Sequence, residues 1–389
     1  MGISVGLVGL GSFGSCFAEL FKAHPLVDRI GLCDAEPQRV AAFADKDSWR
    51  DKFHPRDAYA SLDDICRSDL DALVIITQHW LHAPQCVQAL EAGKHVYSAV
   101  PVVWLPDARE ILDWCDRLVA TVRRTGLHYM LGETTYYHPQ AMYCRRRAAA
   151  GDFGTFTYSE GEYFHGFDSP GCDLREVLRQ RTTGKVGRQF AAWVKGHVDR
   201  GVLAGPMHYP THSTGGPMSV MGAHAARACC WGQKPATEDG YFAASGEAFS
   251  NETALFLMSN GSTMRICEHR ECSVVRETFR VYGTKGSFEG DCWKAAGGGE
   301  QPTVEQMRDG LPGEVAEAFR AAAGERFLGG HGGSHAYLVH EFADAVAHDR
   351  TPAINVWEAA RYMAAGAVAH LSALAGGQVL DVPDWGDAP

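Results

Sequence analysis

The stretch Ile3-Ser-Val-Gly-Leu-Val8 runs directly into Gly9-Leu-Gly11-Ser-Phe-Gly14. A short apolar run, a glycine turn and an amphipathic continuation with Phe17, Leu20 and Phe21 on one face predict strand, turn and helix. This is the context in which G-x-G-x-x-G cradles a dinucleotide. Gly9 permits the tight turn, Gly11 lets the backbone approach a pyrophosphate, and Gly14 lets the helix lie close to the sheet. The free N–H groups at the helix start, around Ser12 and Phe13, then face the phosphates.

Working outward, Ile30-Gly-Leu-Cys-Asp34 reads as a second strand ending in an acid, twenty residues after Gly14. A carboxylate there accepts hydrogen bonds from the adenosine ribose and repels a 2′-phosphate, which favours NAD over NADP. Arg39 stands close enough to soften that preference. The competing reading is a plain glycine turn followed by a solvated Asp34.

Asp71-Ala-Leu-Val-Ile-Ile-Thr77 is apolar throughout, as a strand buried on both faces must be. A helix over 83–92, a strand over 94–98, a helix over 108–125 and a strand over 127–131 follow. The alternation predicts an α/β Rossmann domain over 1–131, a doubly wound parallel sheet with its crevice at the carboxyl ends of the strands. Beyond it, segments 155–164, 253–258, 263–268 and 274–282 alternate polar with apolar. They predict an α+β domain over 132–389, built on an open, mainly antiparallel sheet. Residues 174–205, rich in Arg and Gly without clear periodicity, read as an insertion or lid, and 295–299 as a glycine loop.

Length and composition bound the rest. The 389 residues suit two domains, and 46% hydrophobic with 21% charged content is ordinary globular composition. A net charge of −11 argues against nucleic acid and for a small ligand. Apolar runs stay well below the roughly 20 residues that span a bilayer, so no membrane partner is expected. The start lacks a basic segment and a small-residue cleavage site, which predicts a cytoplasmic protein. Twelve scattered cysteines without a C-x-x-C read as reduced thiols.

Thr77 to Pro101, TQHWLHAPQCVQALEAGKHVYSAVP, resembles the Gfo/Idh/MocA oxidoreductase family, whose pattern runs T-P-x-x-x-H, A-L-x-A-G-K-H-V, E-K-P. Tyr282-Gly-Thr-Lys-Gly-Ser-Phe-Glu289 and the closing segment from Gly329 to Pro383 are similar to it as well. The resemblance implies that Thr77, His79, His82 and Pro101 join the glycine turn in holding NAD. It also implies hydride transfer between nicotinamide and a carbohydrate or polyol hydroxyl.

The chain departs from that pattern at the expected site. The E-K-P lysine, which assists proton transfer, is replaced by Val100 in Ala99-Val-Pro101. Tyr136 stands where an Arg is common, and H-x-x-D reads His212-Ser-Thr-Gly215. A branch of the same superfamily, glycoside hydrolase family 109, also lacks the lysine. Tyr209-Pro-Thr-His-Ser-Thr-Gly-Gly-Pro217 resembles its Y-P-T-H-G-x-G-P, Glu133 and Tyr137 fit its E-N-C-N-Y, and Gly330-His-Gly-Gly333 fits its G-H-G-G. That resemblance implies a redox-neutral alternative, in which a hydroxyl is oxidised, the aglycone is eliminated and the hydride returns. A cofactor-binding remnant without turnover is the third reading.

Oxidising a secondary alcohol requires a base for the hydroxyl proton. Tyr209 and His212, three apart around Pro210, are the catalytic candidates; the bland reading is that His212 merely caps or packs. Glu133, Tyr137, His165, His208 and His331 are the substrate-binding candidates. On the strand 155–165, Glu160, Glu162 or His165 is the residue that could face substrate, the default being a solvated polar face, and the His331 loop could equally be a plain helix junction. Trp104 and Trp193 are either sugar-stacking surfaces or core. His79/His82 and His208/His212 have zinc-like spacings, but no Glu follows the first His as in zincins and Pro210 breaks a helix. No metal is expected. An open sheet face needs cover, which predicts a homodimer or homotetramer through the C-terminal sheet.

Overall fold

The structure is a computed structural model describing residues 2–170 and 173–389. Six short strands, β1 (Ile3–Val8), β2 (Val27–Cys33), β3 (Phe53–Tyr59), β4 (Ala72–Ile75), β5 (His95–Ser98) and β6 (Tyr129–Leu131), form one parallel sheet in the order β3-β2-β1-β4-β5-β6. The order reverses between β1 and β4, so their carboxyl ends open the crevice where doubly wound folds bind ligands. The helix Ser12–Ala23 buries Phe17, Ala18, Leu20 and Phe21, the face read from the sequence. Gly9 has φ +92°, and a Cβ there would sit 2.2 Å from the Ile76 carbonyl oxygen. Only glycine turns the chain at that point.

The second sheet has nine strands: β7 (Phe156–His165), β8 (Ala225–Gln233), β9 (Asn251–Met258), β10 (Thr263–His269), β11 (Val275–Gly283), β12 (Gly286–Glu289), β13 (Cys292–Ala295), β14 (Gly298–Glu300) and β15 (Leu380–Asp381). Their order is β14-β13-β12-β11-β7-β10-β9-β8-β15, antiparallel except where β10 runs parallel to β7. On its inner face lies the helix Thr211–Met221. A Cβ at Gly161 of β7 would sit 1.9 Å from the Ser213 carbonyl oxygen, so the missing side chain lets that helix touch the sheet. The helix Val356–Leu374 is buried along almost its whole length and packs on both the helix Ala108–Thr125 and β8.

Two segments are more regular than their sequence pattern shows. Residues 174–205 are not irregular: Leu174–Thr183 and Lys185–Val198 are helices, the first capped by the Asp173 side chain on the Arg175 N–H. Periodicity was hard to see because the first helix buries no residue fully. The 295–299 segment, expected as a glycine loop, forms the tip of the β13–β14 hairpin. The described cysteines are free thiols, and Cys172 lies outside the described residues. Among the described residues no helix is long and apolar enough to cross a membrane.

Candidate active site

The glycine turn shows which positions its own fold needs. A Cβ on Gly14 would sit 2.1 Å from the Gly9 carbonyl oxygen, so Gly14 serves helix–strand packing. A Cβ on Gly11 would approach only an Arg39 nitrogen, at 3.6 Å. The protein does not require glycine there; the space above the helix start does, which fits a phosphate group lying on the backbone. Asp34 ends β2 with its carboxylate accepting from the Leu10 N–H at 2.7 Å and the Glu36 N–H at 2.9 Å. Arg39 reaches the same carboxylate at 3.6 Å and Glu36 at 3.2 Å.

Phe13 links this turn to the second domain. Its ring meets those of His331 and His335 edge-on, each at 5.8 Å. His331 in turn lies parallel to His212 with centroids 6.4 Å apart.

His212 stands in the first turn of the helix Thr211–Met221. Its Nδ1 is 2.9 Å from Glu133 Oε1, which also accepts from the Thr135 N–H and hydroxyl at 2.9 Å each. Glu133 follows β6 directly and is fully buried. The bond directs Nδ1–H at the carboxylate and leaves Nε2 for the cleft, the orientation a general base needs. Burial works to lower the His212 pKa, but the Glu133 and Glu277 carboxylates lift it to about 9. Burial likewise works to raise Glu133, yet the His212 charge and hydrogen bond hold it at about 2. The resting pair is therefore an imidazolium facing a carboxylate.

Glu133 also explains the missing aspartate. A Cβ at Gly215 would lie 2.8 Å from Thr135 Oγ1 and 2.9 Å from Glu133 Cγ. Asp at 215 would collide with this carboxylate, which takes over the task of holding the histidine.

Tyr209 donates to the Val100 carbonyl at 3.2 Å, and its ring lies 5.5 Å from that of His212. Burial pushes its hydroxyl up to about 12, so it donates hydrogen bonds and does not act as a base near neutrality. Glu277, on the inner face of β11, was not anticipated. Its Oε1 lies 3.9 Å from His212 Nδ1 and 3.9 Å from His138 Nε2. The signal was present in β11: Glu277 shares its face with Phe279 and Val281, an acid in an inward apolar row.

The other sequence candidates lie elsewhere. His82 is buried, with Nδ1 2.9 Å from the Pro101 carbonyl and Nε2 3.3 Å from that of Thr77, so it ties two crevice segments together. The Thr77 hydroxyl bonds to Gln85. His79 is packed among Trp80, Trp104 and Phe190. Burial holds it neutral and keeps Trp104 in that cluster rather than exposed to sugar. Trp193 packs on the rings of Phe190 and His197. His208 is buried, bonds through Nδ1 to the Leu105 carbonyl and packs against His370, so it does not join His212. Tyr137 is buried and stacks on Tyr337. His165 is bonded to the Tyr163 hydroxyl at 2.8 Å. Glu160 and Glu162 point to the opposite face, where they pair with Arg265, Arg276 and Arg280. Neither zinc-like pair forms. Instead, ligand-capable atoms of Glu133, His212 and Glu277 lie within 4.8 Å of one another.

Fold and site together pair the glycine-turn crevice of a doubly wound sheet with an acid–base cluster held between the second sheet and the helix Thr211–Met221. Residues 3–133 match the model of the Gfo/Idh/MocA oxidoreductase family, described as an NAD-binding Rossmann fold. It is 30% identical over 219 residues to a glycosyl hydrolase family 109 protein of Saccharopolyspora erythraea, a match covering 55% of this chain and 43% of the relative. It is 29% identical over 233 residues to an α-N-acetylgalactosaminidase of Bacteroides fragilis, covering 57% and 49%. The matches thus span less than half the length of these relatives. Levoglucosan dehydrogenase in complex with NADH and levoglucosan shares the fold at TM-score 0.71 and 17% identity, over 98% of this chain and 100% of that one. Scyllo-inositol dehydrogenase of Lactobacillus casei with NAD(H) and scyllo-inositol does so at 0.66 and 15%, over 98% and 99%.

Proposed function

We propose that this protein is an NAD-dependent oxidoreductase that moves a hydride between a carbohydrate or polyol hydroxyl and nicotinamide. The observation that carries the reading is the Glu133–His212 pair, facing the glycine turn across Phe13 and His331. NAD supplies the hydride acceptor when bound. Gly9, Gly11, Ser12, Phe13 and Gly14 would hold its pyrophosphate and Asp34 its ribose. His212 Nε2 receives the hydroxyl proton, Glu133 stabilises the resulting imidazolium, and Tyr209 orients the substrate oxygen. A site with pKa about 9 is mostly protonated at neutrality, so a positive charge arriving nearby must first lower it.

Residues 1–131 would bind the cofactor and 132–389 the substrate. Asp34 favours NAD over NADP, although its contact with Arg39 narrows the difference. The free thiols among the described cysteines fit a cytoplasmic setting. The outer face of the second sheet, with Trp231 and Leu255 exposed at 59% and 47%, would pair with a second copy of the chain.

Val100 favours a second reading. With no lysine at that position, and with family 109 glycosidases among the matched relatives, net redox could be zero, the hydride returning after elimination of an aglycone. The test is incubation with NAD or NADP and a panel of sugars, inositols and 4-nitrophenyl glycosides. Stoichiometric NADH supports the dehydrogenase; nitrophenol release with substoichiometric NAD supports the glycosidase. His212→Ala should abolish either activity and spare NAD binding. Neither product across the panel would leave only a cofactor-binding remnant.

A further inference from the structure

We propose that Glu277 is a second proton-transfer residue of this site, positioned to take a proton from the substrate carbon beside the one that is oxidised. The proposal rests on the hydroxyl-oxidising reading above and deepens its redox-neutral form by naming the residue that takes the carbon-bound proton.

The cluster contains more carboxylate than its histidine needs. Glu133 already bonds to His212 Nδ1 and to two groups of Thr135. Glu277 stands outside this arrangement, 3.9 Å from the same nitrogen, and its Oε1 is buried without a hydrogen-bond partner. His138 Nε2, at 3.9 Å, is buried and unpartnered too. A carboxylate on an inward apolar row, facing no Arg or Lys, is poorly explained by stability, because an apolar residue would avoid its desolvation. Its side chain remains 21% exposed, so the carboxyl group is not sealed from solvent. Burial lifts its carboxyl to about 7, in the range where it can both take and return a proton. The donor set also suits a divalent cation, but His212 Nδ1 is already engaged by Glu133 and the imidazolium supplies the positive charge.

The chemistry balances as follows. In the oxidation, the carbinol C–H leaves as hydride to nicotinamide and the O–H proton goes to His212, leaving a ketone. Glu277 then takes the proton from the adjacent carbon. That C–H electron pair forms a C=C bond as the bond from the next carbon to its oxygen substituent breaks. The departing oxygen keeps the electron pair and receives a proton from His212. Water then adds: its oxygen bonds to the carbon that lost the substituent, its released proton passes to His212, and Glu277 returns its own proton to the neighbouring carbon. The hydride goes back to the carbonyl carbon and His212 gives its proton to the carbonyl oxygen. The sum is one glycoside and one water giving one sugar and one alcohol. A dehydrogenase alone needs a single base; two carboxylates around one histidine suit two proton transfers.

The test uses the full-length protein with NAD in deuterium oxide and a panel of 4-nitrophenyl glycosides, including the N-acetyl-α-D-galactosaminide. The unmodified protein should release nitrophenol and return sugar carrying deuterium beside the oxidised carbon. Glu277→Gln, nearly isosteric, should lower both readouts about 100-fold or more while slowing hydride transfer, read as NADH in a single turnover, by less than about tenfold. Glu277→Asp should restore part of the exchange. NAD binding, followed by fluorescence, checks that each variant folds. Retention of deuterium uptake in Glu277→Gln within a few-fold overturns the proposal, as does stoichiometric NADH without deuterium in the unmodified protein. In that last case the oxidising reading survives; absence of both single-turnover NADH and nitrophenol release on every substrate overturns the two together. Loss of hydride transfer on adding EDTA, restored by a divalent cation, would make the cluster a metal site and also overturns it.

Discussion

At the scale of single residues, the Glu133–His212 pair links the proposed proton transfer to stability. The folded pKa of His212 lies at about 9, above its ordinary 6.5. Its contribution to stability is fully present below 6.5 and is lost as pH rises through 9, because the native state holds the extra proton. His370, raised beside Glu252, acts in the same direction. The buried Glu247, Glu268 and Glu277, each lifted to about 7, lose their contribution between the ordinary 4.5 and 7. Buried histidines of lowered pKa, such as His82 and His138 at about 4, act below 6.5. Between pH 7 and 9 the melting temperature should therefore fall, and Glu133→Gln should flatten that slope. Buried thiols such as Cys66, raised to about 11, add a fall near pH 9 that is common to both proteins. Equal slopes from scanning calorimetry would show that Glu133 does not set the His212 proton.

At the scale of elements, the strand–turn–helix unit separates glycines that serve the fold from the one that serves the ligand. Gly14→Ala forces a methyl against the Gly9 carbonyl and should destabilise by about 1–3 kcal/mol, as overpacking does. Gly11→Ala meets nothing closer than the Arg39 guanidinium and should leave stability within about 0.5 kcal/mol. It should still weaken NAD binding about tenfold or more, roughly 1.4 kcal/mol. Thermal melts alongside NAD titrations of both variants decide the matter. Undiminished NAD affinity in Gly11→Ala would remove the phosphate from this turn. The unit was legible because its signal is local: the apolar run and all three glycines fall within residues 3–14. Glu277 was not, since its meaning depends on Thr211–Met221 lying across β11.

At the scale of the whole molecule, the two faces of the nine-stranded sheet have different tasks. The inner face carries Gly161, Tyr163 and Glu277 toward the helix Thr211–Met221. The outer face runs Cys229, Leu255, Arg265, Glu160 and Arg280 across neighbouring strands, beside exposed Trp231. A second copy seated there would bury the aromatic and the aliphatic residue together. Light scattering should report a dimer or tetramer for the unmodified protein, and Trp231→Asp with Leu255→Glu should yield monomers. A monomeric unmodified protein would refute this use of the face.

What the sequence determined by itself was whatever lies in short-range pattern: the glycine turn, Asp34 at the end of β2, the alternation of the Rossmann domain, and His212 in its Tyr-Pro-Thr-His setting. Period and spacing report local backbone geometry, and these features need nothing more. The helix Leu174–Thr183 escaped because it buries no residue fully and so shows no core-facing stripe, whereas Lys185–Val198 buries Phe190, Val194 and His197. Only the tertiary structure decided which polar residues meet. It sent Glu160 and Glu162 outward by strand parity, buried His79 and His208 among aromatic rings, and brought Glu133 from the end of β6 into the space that Gly215 leaves open. It also set Glu277 beside a histidine 65 positions earlier in the chain. Such meetings depend on how sheet and helix faces are stacked, and that information is carried by packing between distant segments.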